Sequence, residues 1–284
     1  MTTSNEPPKI FDRMRWRHRR ARAARSHRDD GFIHQQVMSD IVDRLETVTR
    51  DFETSLFYGC HGLTHMLTDK CGVKSLIHGD MVEDALPGSR PAIVAEEEHW
   101  PFAPNSFDLI VSCLTLHNSN DLVGALAQMR ATIKPDGLLL AALFGEETLS
   151  ALRAALYEAE ASILGGVTPR VAPFASVRDL GDVLRRAGYS MPVADLDRIS
   201  VDYQNPMRLF ADLRSMGETN ILTNSTSPMP RAMLAKTLEN LSVSNATVNF
   251  DIVYLTGWAP DQSQPKPLKP GSAKVPFESA VKKL

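Results

Sequence analysis

The chain of 284 residues is 43% hydrophobic, which is enough apolar material for the core of one large domain or of a domain with an insertion. Its three cysteines, Cys60, Cys71 and Cys113, form no C-x-x-C pair, and their odd number argues against a disulfide framework. No run approaches the ~20 apolar residues of a spanning helix, and the start lacks the apolar core of a signal peptide. We therefore expect a cytoplasmic protein, with the mitochondrial matrix as the less favoured location.

A basic segment over residues 13–28 holds eight arginines and no acid, although the net charge of the chain is −3. One interpretation is an arm that binds nucleic acid, an anionic membrane surface or an acidic protein. The interpretation that we favour is a leading helix whose arginine stems pack on the domain. A mitochondrial presequence is a further alternative, against which Glu6 and Asp12 count.

Apolar spacing predicts alternating strands and helices in the first half of the chain. Short apolar runs without alternation are typical of strands that are buried on both faces of a parallel sheet. Such runs lie at 54–58, 74–78, 92–95, 107–114 and 138–144. A helical stripe over 38–48 precedes them, and another over 122–133 ends at the KPDG turn of 134–137. A strand, a helix, a turn and a strand in this order predict a parallel crossover unit.

The second half of the chain has a different pattern. Helical spacing near 149–156 and 177–187 is followed by period-two alternation in 199–203 and again in 248–254. The stretch 206–241 between these two predicted antiparallel strands is too long for a hairpin, so we expect a helical insertion that forms a lid beside a pocket.

Three parts of the chain follow from these patterns. We predict a basic N-terminal arm over 1–34 and an α/β domain over 35–260. The remainder, 261–284, is a tail rich in proline and lysine with no apolar period, for which we expect extended or docked chain.

The stretch LFYGCHGL at 56–63 ends the first predicted strand. A parallel sheet places its ligand at the carboxyl ends of the strands, where strand order reverses. Gly59 and Gly62 would let the backbone approach a ligand without an intervening Cβ. The same two glycines would also serve a turn that binds nothing, so this stretch alone leaves both interpretations open.

The block EEEHWPFAPNSFDLIVSCLTLHNSNDLVGALAQMRATIKPDGLLLAALFG at 96–145 resembles class I S-adenosylmethionine-dependent methyltransferases in the order and spacing of its motifs. More narrowly, GGVTPRVAPFASVRDLGDVLRRAGY, DLRSMGETN and SQPKPLKPGSA resemble a subfamily of bacterial methyltransferase-like proteins and a mitochondrial complex I assembly factor that hydroxylates a protein arginine. The resemblance implies a Rossmann-like α/β fold. It has a mainly parallel sheet, helices on both faces and a helical insertion before the last strand.

The resemblance also implies S-adenosylmethionine as cofactor and assigns its contacts by position. Asp80 would face the ribose, and Glu96 the adenine. The full set of cofactor contacts is Gly59, Cys60, Gly62, Asp80, Glu96, Glu97 and Leu116. The chain departs from the family pattern where Phe57 replaces an acid and Leu63 replaces the last glycine. We therefore expect cofactor binding that is weakened or lost.

His117 follows the fourth predicted strand, at the substrate end of the implied site. It could carry a proton near neutral pH, or it could be a turn histidine bonded to the backbone. Arg170, Phe174, Glu218 and Asn220 lie in segments expected to face the crevice, where they would recognise a guanidinium or carboxylate or else serve as caps and loop contacts. No cluster of histidine, cysteine and carboxylate has metal-ligand spacing, so no metal is predicted.

Three functions remain as hypotheses. The first is a methyltransferase-like protein that acts on a protein or small-molecule acceptor, with arginine hydroxylation in complex I assembly as the activity that the subfamily implies. The second is a degenerate, non-catalytic methyltransferase fold that serves as an assembly or binding factor. The third, a nucleic-acid binder or modifier, rests on the arginine segment alone and is the least favoured. The same segment would allow peripheral membrane association.

Overall fold

The computed structural model describes residues 9–26, 31–88, 91–224, 228–243 and 247–265, and it builds them around one seven-stranded sheet. The strands are β1 (Ser55–Tyr58), β2 (Leu76–Asp80), β3 (Ala92–Val94), β4 (Phe107–Cys113), β5 (Ile133–Phe144), β6 (Ser190–Asp202) and β7 (Thr247–Trp258). The helices are α1 (Arg13–Arg25), α2 (Phe32–Glu46), α3 (Leu122–Thr132), α4 (Ser150–Leu164), α5 (Val177–Arg186), α6 (Pro206–Ser215) and α7 (Arg231–Val243). None of these described helices is long and apolar enough to cross a membrane.

The sheet has the order β3-β2-β1-β4-β5-β7-β6. Strands β1 to β5 are parallel, and β7 runs antiparallel between β5 and β6. Strand order reverses between β1 and β4, and a ligand crevice is expected outside the carboxyl ends of these two strands. The predicted Rossmann-like α/β fold, with a helical insertion before the last strand, is confirmed.

Two hydrophobic cores cover the faces of the sheet, because successive residues of a strand point to opposite sides. In β4, Leu109 and Val111 pack with α2 and α4 on one face, whereas Ile110 packs with α3 and α5 on the other. Full burial of each such side chain contributes about 1.5–3 kcal/mol. The strand ends, and the side chains that follow them, are thereby held in fixed positions.

Two predicted boundaries differ from the observed ones. The KPDG stretch, predicted as a turn, lies within β5, where Asp136 has a left-handed φ of 61° and the pairing with β4 shifts register. Strand β6 begins at Ser190 and not at 199. The sequence pattern missed its first part because β6 forms the edge of the sheet and most of its side chains are exposed. An edge strand with little burial on either face has little alternation for a sequence pattern to detect.

Helix α1 packs against the domain, as in the interpretation favoured from the sequence. The side chain of its N-cap Asp12 accepts a hydrogen bond from the backbone N of Arg15. Trp16, Arg20 and Ala23 recur at i, i+4 and i+7, and all three are buried. The predicted boundary between arm and domain falls inside α2.

Helices α6 and α7 form the insertion between β6 and β7. Helix α6 begins after Asn205, whose side chain accepts from the backbone N of Met207, and α7 packs on α4. The chain after α6 returns to the start of α1, where Phe11 and Leu222 form an antiparallel bridge. The predicted tail lies mostly outside the described residues.

Candidate functional site

The glycine turn after β1 is used for close packing. Gly59 has a φ of 77°, and a Cβ at this position would lie 2.4 Å from the Thr115 side chain and 2.6 Å from the Cys113 carbonyl oxygen. Cys60 is buried, and its contact with Cys113, together with burial, raises the pKa of its thiol well above the usual range. At Gly62, with a φ of 78°, a Cβ would meet no atom of the described residues within 4 Å. Open space of the kind that a ligand needs therefore remains at Gly62 and not at Gly59.

Asp80, at the end of β2, is paired with Arg20 of α1. The Arg20 Nε lies 2.8 Å from Asp80 Oδ1, and Nη2 lies 2.7 Å from Oδ2. Nη2 also donates to the Gly59 carbonyl at 3.3 Å. Burial opposes the charge on the guanidinium, but the Asp80 carboxylate outweighs it and raises the pKa of Arg20. The predicted ribose acid is thus held in a buried, bidentate ion pair.

Glu96 and Glu97, after β3, are paired with the same helix. Arg13 contacts both carboxylates, with its Nε 2.7 Å from Glu96 Oε1, and Arg17 Nη2 lies 3.1 Å from Glu96 Oε2. Glu97 is fully buried, and burial raises the pKa of its carboxyl although Arg13 opposes this. The three acids that the resemblance assigns to the cofactor therefore come together, each with a guanidinium partner from α1.

Trp16 fills the space between these ion pairs. Its side chain is 1% exposed and packs in a cluster with Met81, Val82 and Ala85, which directly follow β2. The guanidinium of Arg13 lies over its ring at 4.5 Å from the centroid. A flat aromatic group thus lies against both Arg13 and Arg20, the arginines that pair with the predicted cofactor acids.

His117 lies at the carboxyl end of β4 and faces the insertion. Its Nε2 is 3.2 Å from Glu218 Oε2, and Asn118 donates to the same oxygen at 3.4 Å. The rings of Phe144 and Phe174 lie 4.7 and 5.8 Å from the imidazole. Leu116, predicted as a cofactor contact, is instead fully buried in the core. His117 and Glu218 are therefore the polar pair at this end of the crevice.

A cavity of about 470 Å³ opens beside this pair. Four phenylalanine rings and several aliphatic side chains line it, with polar groups concentrated at one side. The predicted residues Arg170, Phe174, Glu218 and Asn220 all line it, as do Arg19 and Arg214. Arg170 pairs with the buried Glu160 at 2.7 Å, and Asn220 accepts from the backbone of Leu222. A mostly apolar cavity with a few convergent polar groups is the usual form of a small-ligand site.

A second cavity of about 460 Å³ lies beside Gly62. His34 and His61 line it, with their rings in edge contact at 4.7 Å between centroids. Burial lowers the pKa of both imidazoles well below the usual value, so both are neutral near pH 7. Neither Nε2 has a hydrogen-bond partner among the described residues.

The sequence prediction missed the part played by α1. Arg13, Arg17 and Arg20 have the spacing i, i+4 and i+7, which places them on one face of a helix. This spacing of the arginines, together with three acids at neighbouring strand ends, is the sequence signal that predicts the ion pairs between α1 and these acids. The sequence prediction gave the three acids as cofactor contacts and did not foresee their pairing with the arginines of α1.

The comparisons with known proteins agree with this fold. A family model described as a methyltransferase domain matches residues 59–141. The arginine-hydroxylase NDUFAF5 of Mus musculus is 37% identical over 296 residues, which span 99% of this chain and 86% of that protein. Its Homo sapiens counterpart is 36% identical over 291 residues, spanning 97% of this chain and 84% of that protein. The chain belongs to the NDUFAF5 family.

Solved structures show the fold of this NDUFAF5 family member independently. A Bacillus halodurans protein solved as a candidate methyltransferase superposes with a TM-score of 0.51 at 12% identity, covering 78% of this chain and 98% of its own. At such low identity the likeness shows the fold alone. It is the Rossmann-like α/β fold of class I methyltransferases.

The predicted cytoplasmic location is wrong. The NDUFAF5 relatives from Danio rerio, Mus musculus, Homo sapiens and Rattus norvegicus, at 36–37% identity, are all mitochondrial proteins. The lack of a signal-peptide apolar core and the scattered cysteines are compatible with both the cytoplasm and the mitochondrion, so composition does not distinguish the two compartments.

S-adenosylmethionine, the cofactor that this fold implies, does not fit the residues as they are arranged. Both oxygens of Asp80 already accept from Arg20, and Glu96 and Glu97 accept from Arg13. The backbone at Gly59 packs against Thr115 and Cys113 on the side that a Cβ would occupy. Contacts of α1 replace those that the cofactor would make.

Proposed function

We propose that this NDUFAF5 family member acts on an arginyl side chain of a partner protein, as an arginine hydroxylase in respiratory complex I assembly. The family supports the substrate class, and the cavity beside His117 supports the binding mode. The observation that carries the proposal is the environment of Glu218.

Glu218 presents a carboxylate oxygen that lacks a partner. Its Oε2 accepts from His117 and Asn118, whereas the buried Oε1 has no hydrogen-bond partner among the described residues. Burial alone would raise the pKa of Glu218, but His117, Arg20 and the hydrogen bonds lower it overall, so the group is charged. A buried charged oxygen without a donor is costly, and a ligand that donates to it removes that cost.

A guanidinium matches this site better than other common groups. It carries five N–H donors in a plane and stays charged at every relevant pH. The rings of Phe144 and Phe174 flank the site and would pack against the apolar stem of the arginine. Glu218 thus orients the guanidinium, while the aromatic wall excludes water from the carbon chain beside it.

Hydroxylation inserts one atom of dioxygen into a C–H bond and reduces the other atom to water, which needs two electrons and two protons. An external two-electron reductant must supply these electrons. The residues of this chain contribute positioning: Glu218 holds the cation, His117 holds Glu218, and Phe174 packs beside His117 in the cavity wall. This reaction does not need S-adenosylmethionine, whose contacts are taken by α1.

Binding of two matched probes tests the proposal. An acetylated arginine amide should bind the purified chain about ten- to a hundredfold more tightly than the citrulline analogue, which has the same shape without the charge. Glu218→Gln should abolish this preference, whereas Glu239→Gln, at an exposed position on α7, should keep it. Equal affinity for the two probes in the unsubstituted chain would refute the assignment of the cavity.

Mass spectrometry of a partner-derived arginine peptide separates the possible reactions. Incubation with reductant under air should add the mass of one oxygen atom, and the same reaction without oxygen should add nothing. Addition of a methylene mass in the presence of S-adenosylmethionine would instead identify a methyltransferase.

A second candidate is a non-catalytic assembly factor that binds an arginine-bearing partner and does not modify it. The ion pairs between α1 and the three acids favour this candidate, since they fill the site that a class I methyltransferase uses. Probe binding with unchanged peptide mass under all conditions would select it.

A further inference from the structure

We propose that helix α1 and S-adenosylmethionine exclude each other, because Trp16, Arg13 and Arg20 occupy the contacts through which this fold holds the nucleoside. The inference goes beyond the acceptor cavity and stands whether or not an arginine binds there.

The ribose contact is occupied on both oxygens of Asp80. Oδ1 accepts from Arg20 Nε at 2.8 Å and from the backbone N of Val82 at 3.1 Å, and Oδ2 accepts from Arg20 Nη2 at 2.7 Å. A ribose diol binds such an acid by donating both hydroxyl protons to it. With Arg20 in place, these hydroxyls would have to compete with a bidentate guanidinium at a fully buried site.

The adenine contact is occupied by a ring of similar shape. The Trp16 indole, a fused five- and six-membered ring system like adenine, packs on Met81, Val82 and Ala85 just beyond β2. Arg13 covers its face and reaches the acids after β3. The helix therefore brings an aromatic plane and guanidinium donors to the acids through which this fold would hold a nucleoside.

Charge also opposes simultaneous binding. Arg20 brings a full positive charge to within hydrogen-bonding distance of the Gly59 carbonyl, and its side chain is 1% exposed. The sulfonium of S-adenosylmethionine would add a second positive charge at this turn. Like charges in a buried site repel strongly because little solvent screens them.

The helix cannot shift by a small amount to admit the ligand. Beyond the ion pairs, the backbone N of Asp12 donates to the Ile221 carbonyl at 2.8 Å, and Arg15 donates to the Leu222 carbonyl at 2.9 Å. Freeing Asp80 and the acids after β3 requires α1 to leave as a unit, together with Trp16. Cofactor binding and docking of α1 are therefore alternative states of one cleft.

Amide hydrogen exchange of the full chain, with and without millimolar S-adenosylhomocysteine, tests the exclusion directly. If no ligand binds, the amides of α1 should keep their protection and calorimetric titration should show no saturable heat. If the ligand binds, the amides of α1 should lose protection in step with binding. Saturable binding with α1 protection unchanged or increased would overturn the proposal. This measurement needs no substitution, so it decides the matter even where a variant fails to fold.

Paired variants test which side chains are responsible. Arg20→Ala combined with Trp16→Ala should tighten S-adenosylhomocysteine binding by about tenfold or more, provided that circular dichroism shows a folded domain. The control Arg25→Ala removes an exposed arginine of the same helix that pairs with Asp84, and it should bind like the unsubstituted chain. A folded double variant with no gain in affinity would overturn the assignment to these residues.

Discussion

The buried pair between Arg20 and Asp80 allows a sharp test of whether α1 belongs to the folded domain. Arg20→Met removes the guanidinium, keeps the apolar stem and leaves the Asp80 carboxylate buried without its cation. The two side chains are only 1% and 2% exposed, so water has little access to the abandoned charge. Loss of one partner of such a pair should lower the free energy of unfolding by about 3–5 kcal/mol.

A double-mutant cycle separates the pair from its surroundings. Asp80→Asn should cost a similar amount, because it leaves the guanidinium buried without its anion. The double variant Arg20→Met/Asp80→Asn should lose about 2–3 kcal/mol less free energy of unfolding than the sum of the two single losses, since no uncompensated charge remains. Urea denaturation followed by tryptophan fluorescence measures each value.

Helix α1 supplies its own control. Arg25 pairs with Asp84 in the same bidentate geometry, at 2.8 Å for both contacts, but on the surface. Arg25→Met should shift the urea midpoint by only a small fraction of the shift caused by Arg20→Met. Equal shifts for the two variants would mean that α1 is not docked, and the reasoning on the cleft would fail with it.

Three further results are expected. Gly59→Ala should lower the thermal midpoint far more than Gly62→Ala. Both alanines would have a left-handed φ, which costs about 1–2 kcal/mol, but only the Cβ at position 59 would clash with neighbouring atoms. Similar midpoints for the two variants would contradict this. Removal of residues 1–26 should lower the thermal midpoint markedly, because it strips the cations from the cleft acids, and a truncated chain that melts like the intact one would show that α1 is dispensable. Burial lowers the pKa of His34 and His61, so the unfolded state takes up protons first and the stability of the folded state falls as the pH drops below about 6.5, the usual pKa of histidine. Urea midpoints at pH 7.5 and 5.5 measure this loss. His61→Gln should remove about half of the difference between the two midpoints, and an unchanged difference would show that the histidines are not its cause.

Local patterns predicted the central strands well because β1 and β4 are almost completely buried between the two faces of the sheet. Four of the five early runs need only a small adjustment of their ends, and the exception, β5, starts earlier than its apolar part. The late strands were harder: β6 lies at an exposed edge, and only its last residues alternate enough to be recognised. A strand can therefore be recognised from its hydrophobic pattern only over the residues whose side chains it buries.

The site depends on contacts that local patterns do not contain. Arg20 and Asp80 are 60 positions apart, and His117 and Glu218 are 101 apart. The resemblance to a family placed the acids and Glu218 in one crevice, because it carries the fold with it. It did not predict that α1 enters that crevice, since the family pattern describes which residues meet a cofactor and not which residues replace it.

The bridge between Phe11 and Leu222 bears on how the chain is made. At about 5–20 residues per second, a ribosome needs roughly 10–40 s to add the ~200 residues between the end of α1 and this strand. During that interval the arginines of α1 emerge first, the acids at Asp80 and Glu96 follow within the first half, and the segment that closes over the helix comes much later. The acids of the cleft are thus made long before the segment that closes over α1, so the ion pairs of the helix can form first and the bridge between Phe11 and Leu222 last.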